Sequence, residues 1–189
     1  MSRVSRPHVL GIDDGPFEKG QDRKVPIVAV MMECGDLCEG VAITEFPVDG
    51  AGATEFLTDW IESLRLRPTL QGIVLGGITI AGLGVIDIRA LAKGLEVPVL
   101  VVTRRDPANH RLDQALEASG LTERLAVVNQ TPPAFEAEPG LFIAHTGADR
   151  DEAEALLRAT LRKSKFPEPL RVAHLIARAL VSGESRGRP

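Results

Sequence analysis

The sequence predicts a single α/β domain with a mixed sheet, in which three strands precede the first helix and helices and strands then alternate. Two observations favour this class. Apolar runs rich in Val and Ile are separated by clusters of Gly, Pro and Asp, a pattern typical of strands and turns. Other segments carry apolar residues at helical spacing. With 189 residues, 44% of them hydrophobic, residues 1–189 are expected to bury one core.

Three strands are predicted first, at His8–Ile12, Ile27–Glu33 and Gly40–Val48. The first helix begins at Thr54 and is stopped by Pro68, because apolar residues between them recur every three or four positions. Strands and helices then alternate along the rest of the chain. The remaining strands are predicted at Gly72–Gly77, Pro98–Thr103, Leu125–Asn129 and Leu141–Thr146, with a proline-rich loop between the last two. The remaining helices are predicted at Val85–Gly94, Ala108–Ser119, Arg150–Lys163 and Pro169–Val181.

This order of elements is the ribonuclease-H-like order, an antiparallel hairpin portion that leads into parallel crossover units. A doubly wound nucleotide-binding sheet would have a helix directly after its first strand, whereas here the turn at 11–17 leads into more strand. We therefore expect the first strand to be central, with Gly72–Gly77 as its parallel neighbour.

The expected location is the cytoplasm, with no membrane contact. No apolar run approaches the roughly 18 residues that a spanning helix needs, and the first ten residues lack the apolar region of a signal peptide. Cys34 and Cys38 are too few for a disulfide framework and too few for a structural zinc site. Both thiols are expected to be reduced.

Charge is distributed unevenly along the chain. The formal net charge is −4, which argues against simple non-specific coating of nucleic acid. Residues 158–189, however, carry a net +6 and the preceding residues −10. The basic residues of this segment are Arg158, Arg162, Lys163, Lys165, Arg171, Arg178, Arg186 and Arg188. Two interpretations stay open, a solvated helix face or a cationic patch that meets nucleic-acid phosphate beside an acidic site.

Two adjacent acids, Asp13 and Asp14, end the first strand in the segment Gly-Ile-Asp-Asp-Gly-Pro-Phe. Neighbouring residues of a strand point to opposite faces, so one carboxylate can face a site while the other caps the turn. Asp13 is the better candidate for the site. The alternative is a purely structural pair that forms an Asx turn ahead of Gly-Pro.

Three further acids lie at helix starts. Asp49 and Glu55 flank the junction of the third strand and the first helix, and Asp87 precedes the second helix. The alternative is structural: Thr54 caps the first helix, and Glu55 and Asp87 are acids near helix N-termini, where the helix dipole favours them. In the predicted fold Asp49 or Glu55 also approaches Asp13, and carboxylates that converge without a basic residue between them are usually held together by Mg²⁺ or Mn²⁺.

The glycine-rich stretch from Gly76 to Asp87 belongs to neither common nucleotide motif. It lacks the Gly-Lys-Ser/Thr of a Walker loop and the third glycine of a dinucleotide fingerprint. Glycines at the mouth of a parallel strand, here Gly76, Gly77 and Gly82, let another backbone or a nucleotide approach closely. A flexible turn is the alternative.

The last helix carries Arg171 and His174, which are three residues apart and so share one side. A lone histidine on a helix is more often a structural residue than a ligand.

Six segments in sequence order resemble successive blocks of the endonuclease dU family, also known as domain of unknown function 99, a family related to endonuclease V. These segments are GIDDGPF, VDGAGATE, LGGITIAGLGVID, PVLVVTRRDP, PEPLRVAHLIA and GESRGR. The resemblance implies a divalent-metal-dependent endonuclease of DNA repair that cleaves damaged DNA, with deoxyuridine-containing strands as the substrate class and Mg²⁺ or Mn²⁺ as the cofactor. It makes Asp13 the metal-binding carboxylate, with Asp14 beside it, and places His174 at the late-helix position of the site.

Two departures from the family pattern affect these expectations. Endonuclease V carries Asp-Gly at the end of its fourth strand where this chain has Gly76-Gly77, so Asp49, Glu55 or Asp87 would have to supply the second metal ligand. Leu83-Gly84 stand where the family's third block is expected to have Phe-Asn. Because the chain has no Tyr and one Trp, stacking on an extruded base falls to Phe17.

Damaged DNA is accordingly the expected partner, with Arg171 and Arg186 placed on its phosphates. A homodimer is compatible with the sequence. Two alternatives remain, a non-catalytic ribonuclease-H-like module that binds nucleic acid or a protein, and an enzyme that acts on a small nucleotide.

Overall fold

The computed structural model describes residues 6–104 and 111–185, which form a seven-stranded mixed sheet with helices on both faces. The strands of the sheet, in chain order, are β1 (His8–Asp14), β2 (Lys24–Glu33), β3 (Leu37–Pro47), β4 (Gly72–Leu75), β7 (Val99–Thr103), β8 (Phe135–Glu138) and β9 (Leu141–Thr146). A small separate hairpin is formed by β5 (Thr79–Ile80) and β6 (Gly84–Val85). The helices are α1 (Ala53–Ser63), α2 (Ile88–Leu95), α3 (Arg111–Ala118), α4 (Leu125–Gln130), α5 (Arg150–Thr160) and α6 (Glu168–Ser182).

The sheet has the strand order β3-β2-β1-β4-β7-β9-β8. β1 pairs antiparallel with β2 and parallel with β4, and β4 pairs parallel with β7. This is an antiparallel hairpin portion followed by parallel crossover units, so the predicted ribonuclease-H-like class is confirmed. The predicted central position of the first strand is confirmed as well, since Val9 lies opposite Gly72 and Ile12 opposite Leu75.

Apolar clusters cover both faces of the sheet, because successive residues of each strand alternate between the faces. Leu10 and Ile12 of β1 belong to the core under α1 and α2, whereas Val9 belongs to the core under α5 and α6. Helices α1, α2, α5 and α6 each contribute a buried stripe at helical spacing, for example Leu170, Ala173 and Ala177 of α6.

Helix α6 packs unusually close to β1. A Cβ atom at Gly11 would lie 2.2 Å from the carbonyl carbon of Pro169 and 2.3 Å from the amide nitrogen of Leu170. Further along β1, a Cβ atom at Gly15 would lie 3.2 Å from the carbonyl oxygen of Ala177. The helix therefore follows β1 in the same direction, and glycine at position 11 permits the approach.

Several elements differ from the sequence-based expectation. The segment Leu125–Asn129, where the sequence predicts a strand, is helical and belongs to α4, because a short apolar run has no periodicity that separates a strand from a buried helical turn. The proline-rich loop contains the short strand β8. Helix α2 begins at Ile88 rather than Val85, since Val85 pairs with Thr79 in the hairpin.

Three further predictions concern the third helix, the two cysteines and membrane-spanning segments. Of the predicted helix Ala108–Ser119, residues 108–110 lie outside the described part of the chain, and α3 covers Arg111–Ala118. Cys34 is buried, Cys38 is exposed, and both are free thiols, as predicted. None of the helices among the described residues is long and apolar enough to cross a membrane.

Candidate functional site

The end of β1 places two carboxylates on opposite faces of the sheet. Asp13 lies on the α6 face, where it contacts His174. Asp14 lies on the other face, where its Oδ2 accepts a hydrogen bond of 2.6 Å from the amide of Ala81 in the β5–β6 hairpin. The strand end therefore connects the last helix to the hairpin through two consecutive side chains.

The contact between Asp13 and His174 joins residues 161 positions apart in the chain. Nδ1 of His174 lies 2.6 Å from Oδ2 of Asp13, and both side chains are about a quarter exposed, at 26% and 22%. The close packing of α6 on Gly11 brings the helix near enough for this contact. Nε2 of His174 and Oδ1 of Asp13 remain outside the contact, so each group keeps one atom for a ligand.

The electrostatics of the strand end disfavour two simultaneous negative charges. Burial, followed by the neighbouring charge of Asp13, raises the pKa of Asp14 from 3.8 to about 6. The hydrogen bond from Ala81 and the proximity of His174 lower the same pKa and only partly offset that rise. A cation bound between the two carboxylates would relieve their repulsion.

A cleft of about 170 Å³ opens beside these carboxylates. Its lining residues are Ile12, Asp13, Asp14, Leu75, Gly76, Gly77, Thr79 and Ile80. Cβ atoms at Gly76 and Gly77 would meet nothing closer than 3.9 Å. These two glycines, which follow β4, are thus not required by packing, and the absence of their side chains leaves room in the cleft.

The β5–β6 hairpin forms one wall of the site and is held from two sides. Gly82 has a φ of +89°, and a Cβ atom there would lie 2.5 Å from Oδ1 of Asp49 and 3.0 Å from Cζ of Phe17. Phe17 therefore packs on the hairpin backbone at Gly82. It is not among the residues that line the cleft.

The three acids considered as second metal ligands have other positions in the structure. Oδ1 of Asp49 accepts from the amide of Leu83 at 2.9 Å, and Oδ2 pairs with Lys19 at 3.1 Å. Asp87 caps α2 by accepting from two amides of the first turn. Glu55 is exposed in the first turn of α1. None of these acids lines the cleft with Asp13 and Asp14.

Arg124 is a site-forming residue that the sequence does not reveal. Its guanidinium donates to the carbonyl oxygen of Leu83 at 2.5 Å and to that of Asp49 at 3.0 Å, and the side chain is only 12% exposed. It thereby ties the hairpin to the loop after β3. No local pattern could identify it, because its partners lie 41 and 75 residues away.

Of the basic residues assigned to phosphate, Arg171 has a different partner and Arg186 lies outside the described residues. Nε of Arg171 donates to both oxygens of Glu168, at 3.0 and 2.9 Å, and Glu168 is nearly buried at 8% exposure. The guanidinium of Arg171 is thus engaged by Glu168 near the start of α6. The phosphate contact of Arg171 remains a prediction, and a bound phosphate would have to share the guanidinium with Glu168.

The donor set at the strand end fits a cation bound together with substrate. Within residues 6–104 and 111–185 there is no group of three or more His, Cys, Asp or Glu side chains placed to hold a metal ion. The carboxylates of Asp13 and Asp14 remain as donors. Mg²⁺ is commonly held by one or two carboxylates, with water and phosphate oxygens completing its coordination.

Comparison with known proteins gives relatives along nearly the whole chain. A UPF0215 protein of Archaeoglobus fulgidus is 35% identical over 179 residues, which cover 95% of this chain and 96% of the relative. A crystal structure of a protein of unknown function from the same organism has a TM-score of 0.85 at 33% identity and covers 94% of this chain and 99% of its own.

A more distant similarity is limited to the fold. Endonuclease V of Ciona intestinalis, solved in complex with a 24mer DNA that contains an inosine followed by a ribo-adenosine, has a TM-score of 0.55 at 13% identity. The match covers 92% of this chain and 84% of that one. The family model for endonuclease dU matches residues 5–181. The chain therefore belongs to the endonuclease dU family.

Proposed function

We propose that this protein is a divalent-metal-dependent endonuclease that cleaves damaged DNA, with deoxyuridine-containing strands as its substrate. The observation that carries the proposal is the 2.6 Å contact between Asp13 and His174 at the mouth of a cleft that Asp14 also lines. A strand-end carboxylate paired with a histidine of the last helix is the arrangement expected from the resemblance to endonuclease V.

In this proposal Asp13 and Asp14 hold the cation. When bound, Mg²⁺ or Mn²⁺ would activate a water molecule and neutralise charge that develops on the scissile phosphate. Asp13 also fixes the ring of His174 through Nδ1. Nε2 is then the atom of His174 that exchanges a proton with the reacting groups or donates a hydrogen bond to a phosphate oxygen.

The substrate class rests on the family, because the cleft by itself does not distinguish one base from another. The Ciona endonuclease V complex contains DNA with an inosine, whereas the family model carries the name endonuclease dU. For this chain we propose the deoxyuridine strand as substrate, with the glycine-lined part of the cleft, at Gly76 and Gly77, as the space that admits the nucleotide.

One observation favours a second candidate, a non-catalytic module that binds nucleic acid or a protein. The described residues hold no cluster of three metal-ligating side chains, and the fourth-strand acid is replaced by glycine. Calorimetric titration with Mn²⁺ separates the two candidates. The nuclease is expected to bind Mn²⁺ in the parent protein and lose that binding in Asp13→Asn, whereas the module would bind none in either.

The direct test is cleavage of matched oligonucleotides that contain uracil, hypoxanthine or no lesion, each with and without Mn²⁺ or Mg²⁺. We expect the uracil strand to be cut only when metal is present. An Asp149→Asn variant is a suitable control, because Asp149 caps α5 and does not line the cleft. Equal cutting of all three strands would contradict the substrate, and no cutting with either metal would contradict the activity.

A further inference from the structure

The cations of the C-terminal segment do not form one patch. Nη2 of Arg158 lies 2.6 Å from Glu154, and Arg162 and Arg171 are paired with Asp36 and Glu168. Each of these guanidinium groups is therefore already matched by a carboxylate. Three of the positive charges that favour nucleic acid in the sequence are neutralised within the fold.

Two exposed lysines of the segment lie at the opposite end of the sheet from the site. A Cβ atom at Gly35 would lie 2.7 Å from the carbonyl oxygen of Thr160 and 3.1 Å from Cγ of Arg162. Gly35 follows β2, whose last residue pairs with the first residue of β1. The connection from α5 to α6, which carries Lys163 and Lys165, thus lies at the end of β1 opposite to Asp13.

Arg178 is the cation of α6 that lies at the site end. It follows His174 by four residues, so the two side chains leave the helix on one side, one turn apart. Because α6 runs along β1 in the same direction, this turn lies beyond the level of Asp13, where Ala177 and Val181 pack against Gly15. Arg178 therefore lies one helical turn beyond His174, at the end of β1 that carries Asp13.

The side chain of Arg178 has an unmet hydrogen-bonding requirement. Among the described residues, its buried Nε has no hydrogen-bond partner and no carboxylate pairs with it. Buried donors in folded proteins are almost always satisfied, and a guanidinium is the group best suited to bind a phosphate oxygen with parallel N–H donors. Because the side chain as a whole is only half-buried and no described carboxylate pairs with it, a phosphate of a bound strand would pair with the terminal nitrogens of this guanidinium.

We infer that Arg178 binds a phosphate of the nucleic acid strand adjacent to the cleft and is the principal cation of α6 that does so. The inference rests on the proposed function, since it names the residue that fixes the substrate strand beside Asp13 and His174. It assigns to Arg178 the role that the sequence suggested for Arg171.

The test measures binding of a single-stranded, uracil-containing oligonucleotide by fluorescence anisotropy over a series of salt concentrations in the presence of a chelator. Arg178→Met is compared with Lys163→Met, which removes the same charge from the far end of the sheet. We expect Arg178→Met to weaken binding roughly tenfold or more at low salt and to reduce the log–log salt slope by about 0.7. Lys163→Met should retain the parent slope, and Arg178→Lys should restore most of it.

Thermal unfolding separates a binding role from a structural one. Because Arg178→Met removes an unsatisfied donor, its melting temperature should equal or exceed that of the parent protein. An unchanged salt slope in Arg178→Met, or an equal loss in Lys163→Met, would overturn the inference. A parent protein that binds the strand but never cuts it contradicts the nuclease function alone, since binding is measured without metal. A parent that does not bind the strand without metal overturns the inference about Arg178 alone, since the cleavage assay with metal tests the nuclease function separately.

Discussion

Asp13 and Asp14 are chemically identical neighbours with different surroundings. Asp13 has one oxygen engaged by His174, on the face covered by α6. Asp14 accepts a backbone hydrogen bond from Ala81 on the other face, and burial raises its pKa. The first residue is therefore suited to act on a ligand together with the histidine, and the second to fix the hairpin and contribute charge to a cation.

Substitution of Asp13 tests the proposed chemistry directly. Asp13→Asn removes the charge that would hold the cation while it keeps the size of the side chain, so metal-dependent cleavage should be abolished. The free energy of unfolding should change little, because the repulsion between Asp13 and Asp14 that is relieved offsets the weakened contact with His174. His174→Ala should slow cleavage by roughly 10²-fold and leave Mn²⁺ binding in place. An Asp13→Asn protein that cuts at the parent rate would eliminate this mechanism.

The pKa of Asp14 predicts a pH dependence of stability in metal-free protein. A pKa of about 6 in the folded chain, above the ordinary 3.8, means that the folded state binds more protons than the unfolded state between those values. The contribution of Asp14 to stability is therefore highest below about pH 4 and falls as the pH rises through about 6. Asp14→Asn should be more stable than the parent at pH 7, by at most about 3 kcal/mol.

Urea unfolding at a series of pH values, with a chelator present, measures the effect. The gain of Asp14→Asn over the parent should shrink to nothing near pH 4, where the folded protein holds the aspartate protonated. Asp151→Asn, an exposed acid of α5, is the control. A constant difference between Asp14→Asn and the parent at all pH values would show that Asp14 carries no raised pKa.

Among the elements, the pairing of α6 with β1 determines the geometry of the site. The helix approaches the strand at Gly11 to a distance that leaves no space for a Cβ atom, and one turn later it presents His174 to Asp13. The helix is thus fixed at the strand by backbone contact, which is less tolerant of change than contact between flexible side chains.

Gly11→Ala should therefore affect stability and activity together. The added methyl group meets backbone atoms of Pro169 and Leu170, so α6 must move away, at a cost of roughly 1–3 kcal/mol. The shift should separate His174 from Asp13 and lower the rate of cleavage. Gly76→Ala is the control for stability, because its Cβ would meet nothing closer than 3.9 Å. If the free energy of unfolding of Gly11→Ala equals that of the parent, the close approach of α6 to Gly11 is contradicted.

The hairpin depends on Arg124 in a comparable way. Arg124→Met removes the donors to the carbonyl oxygens of Leu83 and Asp49 while it retains the apolar stem of the side chain. Amide hydrogen exchange at Ala81 and Leu83 should become faster than in the parent, and exchange in β7, on the far side of β4, should not change. Uniformly faster exchange would instead indicate global destabilisation.

For the whole molecule, the sequence predicts the fold better than the site. Strong Val- and Ile-rich runs identify the central strands, and strand alternation separates Asp13 from Asp14. The partners of Asp49 and Arg124 could not be predicted, because they are set by contacts between distant segments. The short apolar run at 125–129 is predicted as a strand but forms a helix, because the run is too short to show the periodicity of either element. The site roles, the single domain and the homodimer remain predictions.

Metal binding should be detectable as a change in the stability of the whole protein. A cation that binds only the folded state raises the free energy of unfolding by about 2.7 kcal/mol at a concentration 100 times its dissociation constant. Mn²⁺ should therefore raise the melting temperature of the parent, and the increase should vanish in Asp13→Asn. An equal increase in Asp13→Asn would place the metal elsewhere.

Asp13 and Asp14 point to opposite faces of the sheet, so the candidate site is built from two layers that pack separately. The layer that contains α6 carries the histidine, and the layer that contains the hairpin carries the wall of the cleft. Substitutions in one layer can change what enters the cleft without repacking the other. If the proposed function holds, hairpin residues could vary to admit other substrates while the Asp13–His174 pair keeps its geometry.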